Sequence, residues 1–395
     1  MASNLWRINK QELQRLEQVI NAGFTGEFTA ELERKFSDKF GSKYAIAVNS
    51  GTSALHAAVA ALGLGPGDEV LAPPLTFAAS GFSPLYVGAV TVFSDVDRET
   101  FNIDPDCLEK NITEKTKAII TVSLYGLVPE MDKIMAIAKK HNLKVIEDNA
   151  QCVFGKYKGR IAGTIGDISI FSFQRSKHLT TGDGGMILTD DEFLAEKARR
   201  FSDLGYVTLK ASPGTHLISK DTLQQPEFKR HESIGYNFRM PEVCAAMALS
   251  QLDKLEMLLE KRKAIAEFYK QAIQGCDWLV PQKVPLQTVH SYWAYALCLD
   301  RSKTGVSWKQ FREVFLKKGG EPFYGAWSLT YLEPALEGRE FPGHNIKYCR
   351  GLCPVAESLQ PNLIQLKTNF ESLDYAKKQA DILAETIKLL DRAVV

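Results

Sequence analysis

The sequence predicts an α/β protein: a mostly parallel seven-stranded sheet flanked by helices, followed by a smaller C-terminal α+β domain. Three observations predict it. Seven short apolar runs lie between residues 44 and 189. Segments of helical periodicity fill several of the gaps, and this strand–helix alternation builds parallel sheets covered on both faces. Beyond residue 275 short strands mix with helices instead.

The apolar runs are YAIAV (44–48), EVLA (69–72), VTVFS (90–94), KAIITVSL (117–124), LKVIE (143–147), ISIFSF (168–173) and GMILT (185–189). TSALHAAVAALGL (52–64) and MDKIMAIAKKHN (131–142) carry the helical spacing. After Gly205 a polar stretch with two prolines, 206–232, reads as a long loop, and loops of that length are functional or mobile. One long helix is expected over 241–275. The domain plan is an N-terminal helical segment at 1–25, a large domain at 26–240, the connecting helix at 241–275 and a small domain at 276–395.

Composition narrows the function. Forty-eight Lys and Arg face 47 Asp and Glu, a net charge of +1, which gives no electrostatic reason to expect nucleic acid or an anionic membrane as partner. Apolar residues at 45% and charged ones at 24% exclude intrinsic disorder. No apolar run reaches the ~18 residues of a membrane span, and the start is amphipathic rather than signal-like, so a cytoplasmic protein is expected. Seven scattered cysteines without a C-x-x-C pair fit reduced thiols. The glycines of GLGPGDEV precede a strand, so they mark a turn rather than a dinucleotide loop.

Three strand ends carry chemistry. Asn49-Ser50-Gly51-Thr52-Ser53 joins a strand to a helix. Its free N–H groups and hydroxyls suit a phosphate, and equally a plain Ser N-cap, which is the commoner outcome for such a segment alone. Glu147-Asp148 ends another strand, either as a solvated terminus or as a carboxylate facing a protonated ring nitrogen. In ISIFSFQRSKHLTTGDGG, Ser172 ends a strand, Lys177 follows five residues later, and a Gly-rich turn comes next. A lysine held there can condense with an aldehyde. Phosphate seat, strand-end carboxylate and loop lysine in this order are the parts needed to bind pyridoxal phosphate.

With these motifs the sequence resembles the sugar aminotransferases of the DegT/DnrJ/EryC1/StrS family, pyridoxal-phosphate enzymes of fold type I. The likeness runs through GEFTAELERKF, NSGTSALHAA, LAPPLTFAAS, FSDVD, VSLYG, VIEDNAQ, GDISIFSFQRSKHLTTGDGGM and GYNFRM. It implies pyridoxal 5'-phosphate as cofactor, with pyridoxamine phosphate as intermediate. Lys177 resembles the family lysine that binds the cofactor and shuttles the proton, and Asp148 the carboxylate that keeps the ring nitrogen protonated. Gln151 matches the residue near the phenolic oxygen and Phe77 the aromatic on the ring face. Gly51, Thr52 and Ser172 match phosphate ligands. Asn237 matches a phosphate contact from a second subunit, which implies a homodimer with shared active sites.

The resemblance implies transfer of an amino group from glutamate or glutamine to a keto sugar, nucleotide-linked, in amino-sugar biosynthesis for surface polysaccharide or natural product. Alternatives are a keto-cyclitol aminotransferase or aminobenzoate synthase, a keto-sugar dehydratase with histidine at the lysine position, and a regulatory protein that kept the fold. Two departures stand out: Gly182-Asp183-Gly184-Gly185 replaces the family's Gly-Glu-Gly-Gly, and the 206–232 stretch is long. Trp6, Lys158, His290, Tyr292, Trp327 and that stretch are the candidates for substrate selection.

Overall fold

The computed structural model describes residues 7–213 and 218–393. Nine strands precede residue 190: β1 (Tyr44–Val48), β2 (Glu69–Ala72), β3 (Val90–Phe93), β4 (Thr116–Val122), β5 (Lys144–Asp148), β6 (Lys156–Tyr157), β7 (Arg160–Ile161), β8 (Ile168–Ser172) and β9 (Gly185–Thr189). Seven of them form one sheet in the order β1-β9-β8-β5-β4-β2-β3. All seven apolar runs of the sequence are therefore strands of this sheet. Only β9 runs antiparallel to its neighbours β1 and β8. The β8–β9 link contains no helix, so the chain turns back along the strand it has just left.

The early helices are α1 (Lys10–Ala22), α2 (Glu27–Phe40) and α3 (Gly51–Ala61). A capping box between Asn9 and Glu12 starts α1, and Gly23 at φ 76° ends it. α2 lays Leu32, Phe36 and Phe40 against Phe171 and Phe173, the rings of Phe36 and Phe171 meeting edge-on at 5.3 Å. α3 buries Ala54, Ala57, Ala58 and Ala61 on the other face. Its small side chains bring its axis close to β8 and β9, which places its N-terminus at the carboxyl edge of the sheet.

The small domain holds β10 (Leu279–Pro281), β11 (Thr288–Val289), β12 (Ala294–Leu299), β13 (Tyr324–Gly325) and β14 (Leu363–Lys367). β10-β12-β14-β13 make an antiparallel sheet, whose core is closed by helices Trp308–Lys317 and Leu373–Ala393. β11 pairs with β6 of the large domain and ties the two units together. The segment around 331–356 also returns to the large sheet: Tyr348 donates its hydroxyl to the Thr91 carbonyl at 2.6 Å, and the Ala356 N–H meets Asp95 at 2.9 Å.

The single helix expected over 241–275 is corrected by the structure, which has two, Glu242–Asp253 and Leu255–Ala272, broken at Lys254 (φ −101°, ψ 5°). Each half follows a different core. Ala245, Ala248 and Leu252 pack with α2, whereas Ile265, Ala266 and Tyr269 pack in the small domain. At the break Lys254 reaches the Arg7 carbonyl at 2.8 Å and the Glu12 carboxylate.

Candidate active site

The parallel strands deliver their C-terminal residues to one edge, where open α/β sheets bind ligands. There the structure gathers Gly51 and Thr52 after β1, Phe77 after β2, Asp148 at the end of β5, Gln151 just beyond it, Ser172 at the end of β8, and Lys177 on the loop that follows.

At the head of α3, the Ser50 hydroxyl accepts the Ser53 N–H at 3.0 Å, so the N-cap reading of this segment is realised. The cap takes the third N–H and leaves those of Gly51 and Thr52 as the open donors of the helix terminus, where the dipole favours an anion. Glycine is required by space: a Cβ at Gly51 would sit 2.8 Å from Ser172 Cβ, and one at Gly185 would sit 2.5 Å from the Ser50 carbonyl oxygen. The cap therefore leaves room for an anion at this terminus, because it uses a different N–H group.

Asp148 is buried, with Oδ2 accepting from Ser80 Oγ at 2.7 Å and Oδ1 from the Ala150 N–H at 3.0 Å. Burial pushes its pKa up, while the Ser80 and Ala150 donors and the nearby Lys177 charge pull it down. A buried carboxylate whose direct donors are neutral suits a cationic N–H arriving in the site. Gln151 is buried and turned by its Oε1, which accepts the Tyr125 N–H at 2.8 Å.

Lys177 is partly buried, its ammonium 4.9 Å from the centre of the Trp293 ring. Burial, with the Arg262 charge nearby, lowers its pKa to about 8 against the opposing pull of Asp148. A row of aromatics continues from there. Trp293 lies over Tyr125 at 6.5 Å and against Trp327 at 6.1 Å, and Trp327 meets Phe77 edge-on at 5.7 Å. The Phe77 ring is 53% exposed, a free aromatic face at the sheet edge.

His178 sits apart from this chemistry. It is fully buried, with Nε2 donating to the Ser291 carbonyl at 3.0 Å, and burial holds it neutral. Its ring is committed to packing the loop against the 290s segment. Asn237 is exposed beside Asn49, whose Nδ2 donates to the Asn237 carbonyl at 3.5 Å; its own side chain faces outward on this chain. Of the six substrate candidates, Trp327 joins the aromatic row. His290 is buried, bonded to Gln282 Oε1 at 3.0 Å and stacked on Tyr292 at 3.9 Å, which makes this pair part of the support behind Trp293. Lys158 is tied to Asp132, and Trp6 lies outside the described residues. The 206–213 part of the long loop is pinned by Arg199 and Arg200, which bond the Ala211 and Leu209 carbonyls.

Four residues of this geometry escaped the sequence reading: Ser80, Trp293, Arg7 and Arg262. Ser80 stands three residues after Phe77, in the first turn of the helix Ala79–Tyr86. The others come from segments far from Lys177 in the chain and left no local signal.

The family model described as the DegT/DnrJ/EryC1/StrS aminotransferase family matches residues 7–375. The chain belongs to this family. The chain is 38% identical over 302 residues to the spore coat polysaccharide biosynthesis protein SpsC of Bacillus subtilis (strain 168), covering 76% of each chain. To a GDP-perosamine synthase of Caulobacter vibrioides it is 41% identical over 275 residues, 69% of this chain and 70% of that one. Among solved structures, a Streptococcus pneumoniae protein described as a sugar aminotransferase, in its PLP form, superposes with TM-score 0.83 at 26% identity, covering 98% of this chain and 97% of the other. Pyridoxal phosphate is accordingly the cofactor of this aminotransferase, and the helix terminus, the glycine gap and the buried carboxylate described above fit it. Among the described residues no helix is long and apolar enough to cross a membrane, and no His/Cys/Asp/Glu cluster suits a metal ion.

Proposed function

We propose that this protein transfers an amino group from glutamate or glutamine to the ketone of a nucleotide-linked keto sugar, supplying amino sugars for a surface polysaccharide or natural product. The observation that carries this is that Lys177, on the loop after β8, and the buried Asp148, at the end of β5, come to one sheet edge, near enough for their charges to act on each other. The relatives support the substrate class, one being named for GDP-perosamine synthesis and one for spore coat polysaccharide.

When bound, pyridoxal phosphate supplies an electron sink for the carbon that loses a proton. The residues do the rest. Gly51, Thr52 and Ser172 would hold the phosphate at the helix terminus. Asp148 would hold a proton on the ring nitrogen, and the Ser80 hydroxyl orients Asp148 and favours its ionised form. Phe77 would cover one ring face, and Gln151 would lie by the phenolic oxygen. Lys177 would anchor the cofactor through its Nζ and move the proton at that atom, a role suited to an amine whose pKa burial has lowered. Trp327 and Trp293 bound the space beside Lys177 and exclude water from it.

Two further features belong to the reading. Asn237 completes the phosphate site of a second subunit in a homodimer, which fits its exposure and the neighbouring exposed Ile234 and Tyr236. The enzyme works in the cytoplasm, with residues 26–240 binding the cofactor and 276–395 closing over it.

The test is direct. The purified protein is incubated with pyridoxal phosphate, reduced with borohydride and digested, and the modified peptide is identified by mass. It is then supplied with glutamate and a panel of nucleotide keto sugars, GDP-linked ones first. Modification at Lys177 and an amino-sugar product are expected. Modification elsewhere, or ammonia release without an amino sugar, would sink the proposal.

A further inference from the structure

The loop that carries Lys177 is fastened one carbonyl at a time. The Arg175 carbonyl accepts from Arg7 Nη2 at 2.5 Å, and the Ser176 carbonyl from Trp293 Nε1 at 3.0 Å. The Lys177 carbonyl accepts from Arg7 Nη1 at 2.7 Å and from Arg262 Nη2 at 3.4 Å. The three donors come from three places: the segment before α1, the helix Leu255–Ala272, and the strand region leading into β12. None belongs to the sheet that holds the cofactor.

The same donors are cross-linked to each other and to the small domain. Arg262 Nη1 donates to the Trp293 carbonyl at 3.0 Å and to Thr368 Oγ1 at 2.9 Å. The Arg7 carbonyl takes Gln251 Nε2 at 2.6 Å and Lys254 Nζ at 2.8 Å. Arg7 and Arg262 are 2% and 3% exposed, yet among the described residues their acceptors are neutral carbonyl and hydroxyl oxygens. Buried guanidinium groups without carboxylate partners are costly. If the loop needed only a bolt, neutral side chains would serve at lower cost. What two cations add is a field at the adjacent amine.

We propose that Arg7, Arg262 and Trp293 are positioning residues for Lys177, fixing where its amine lies and setting two buried positive charges against the loop that carries it, so that small-domain placement is coupled to the reactivity of the lysine. This inference rests on the reading of Lys177 as the cofactor-binding lysine. The charges that act on that amine are Asp148 from β5 and Arg262 from the helix Leu255–Ala272, while Arg7 bonds the lysine's own carbonyl and acts on Arg262, and the buried neutral ring of His178 is the next residue in the chain. Asp148 alone opposes Arg262 at that amine.

The test uses the protein without cofactor as well as the loaded enzyme. Acetic anhydride labels amines only when they are uncharged, so the labelling of the Lys177 peptide, followed by mass spectrometry across neutral to alkaline pH, gives the midpoint of that amine. Arg262→Met is expected to raise the midpoint by about half a unit to one unit, leaving roughly three- to tenfold less free amine below it. Arg262→Lys, which keeps the charge, should stay near the wild type. In the loaded enzyme, Arg7→Met and Trp293→Phe should lower kcat of the donor half-reaction about tenfold with little change in the donor KM, as expected when a reacting group is misplaced rather than when binding is lost.

Unchanged labelling midpoints and unchanged kcat, with only a fall in Tm, would show that the three residues are structural bolts and overturn the proposal. Should Arg262→Met fail to fold, the midpoints of Arg262→Lys and Arg7→Met decide the matter: a rise for Arg7→Met alone supports it, and none for either overturns it. A wild-type protein whose Lys177 is never modified by pyridoxal phosphate and borohydride would instead mean that the underlying reading has failed.

Discussion

The Ser80 hydroxyl donates to Asp148 Oδ2 at 2.7 Å in a buried setting. That bond favours the ionised carboxylate against the burial that raises its pKa. Ser80→Ala removes that donor, so Asp148 takes up a proton at higher pH than in the wild type. The acid limb of the kcat profile should move upward and kcat should fall up to about tenfold, the value of one hydrogen bond to a charged group. Asp148→Asn should cost a hundredfold or more on the same scale of preorganised electrostatic effects, roughly, measured in single turnovers with glutamate. An unaltered acid limb in Ser80→Ala would show that the serine merely packs.

If Lys177 binds the cofactor as proposed, its amine sets the pH dependence of capture. Burial lowers its pKa to about 8, and only the free amine attacks an aldehyde. The rate of cofactor-free protein combining with pyridoxal phosphate should climb with pH and level off above about 8, followed by the growth of the visible absorbance band. Lys177→Ala should abolish both the band after borohydride treatment and turnover.

Gly51→Ala brings a Cβ within 2.8 Å of Ser172 Cβ. Helix α3 must then move off β8, and overpacking of this kind costs about 1–3 kcal/mol. The expected result is a lower Tm together with weaker pyridoxal phosphate retention on dialysis, by about tenfold or more. Loss of stability with retention unchanged would remove Gly51 from the phosphate site.

His178 and His290 are both buried and held neutral by burial, His178 well below the usual imidazole range and His290 pushed down to about 3. The sign follows from the unfolded chain, which binds protons below its ordinary histidine pKa of about 6.5 while the folded protein does not. Stability attributable to each ring is therefore present above that pH and is lost on acidification, by about 1.4 kcal/mol per pH unit and per ring. His178→Leu should flatten the fall of Tm between neutral and mildly acidic pH, while the Ser291 carbonyl left bare lowers Tm at neutral pH. Its product should remain an amino sugar; a dehydrated product from the wild type that vanishes in this variant would reverse the assignment.

Asn237 supplies a test of the homodimer with shared sites proposed above. Lys177→Ala subunits mixed with Asn237→Ala subunits, each impaired alone, form hybrids in which one of the two sites has both residues intact. With random pairing about a quarter of all sites recover, and activity should return to that level after exchange. No recovery in hybrids verified by mass would place Asn237 in its own subunit's site or outside the chemistry.

The sequence by itself determined the sheet. Seven apolar runs became its seven strands because period-two and fully apolar stretches have few other ways to bury themselves, and the small residues of NSGTSALHAA marked where a helix would press its N-terminus against the strand edge. The placement of Gly51, Asp148, Ser172 and Lys177 at one sheet edge followed from the sequence because each sits on or beside a strand end, where local sequence fixes position. The tertiary structure alone decided what surrounds them. The helical pattern continues through Lys254, yet the chain bends there because its two halves serve different cores. Arg7, Arg262 and Trp293 meet at residues 175–177 only after the N-terminal segment and the small domain have docked, since hydrogen bonds between segments so far apart in the chain depend on packing that no local spacing encodes.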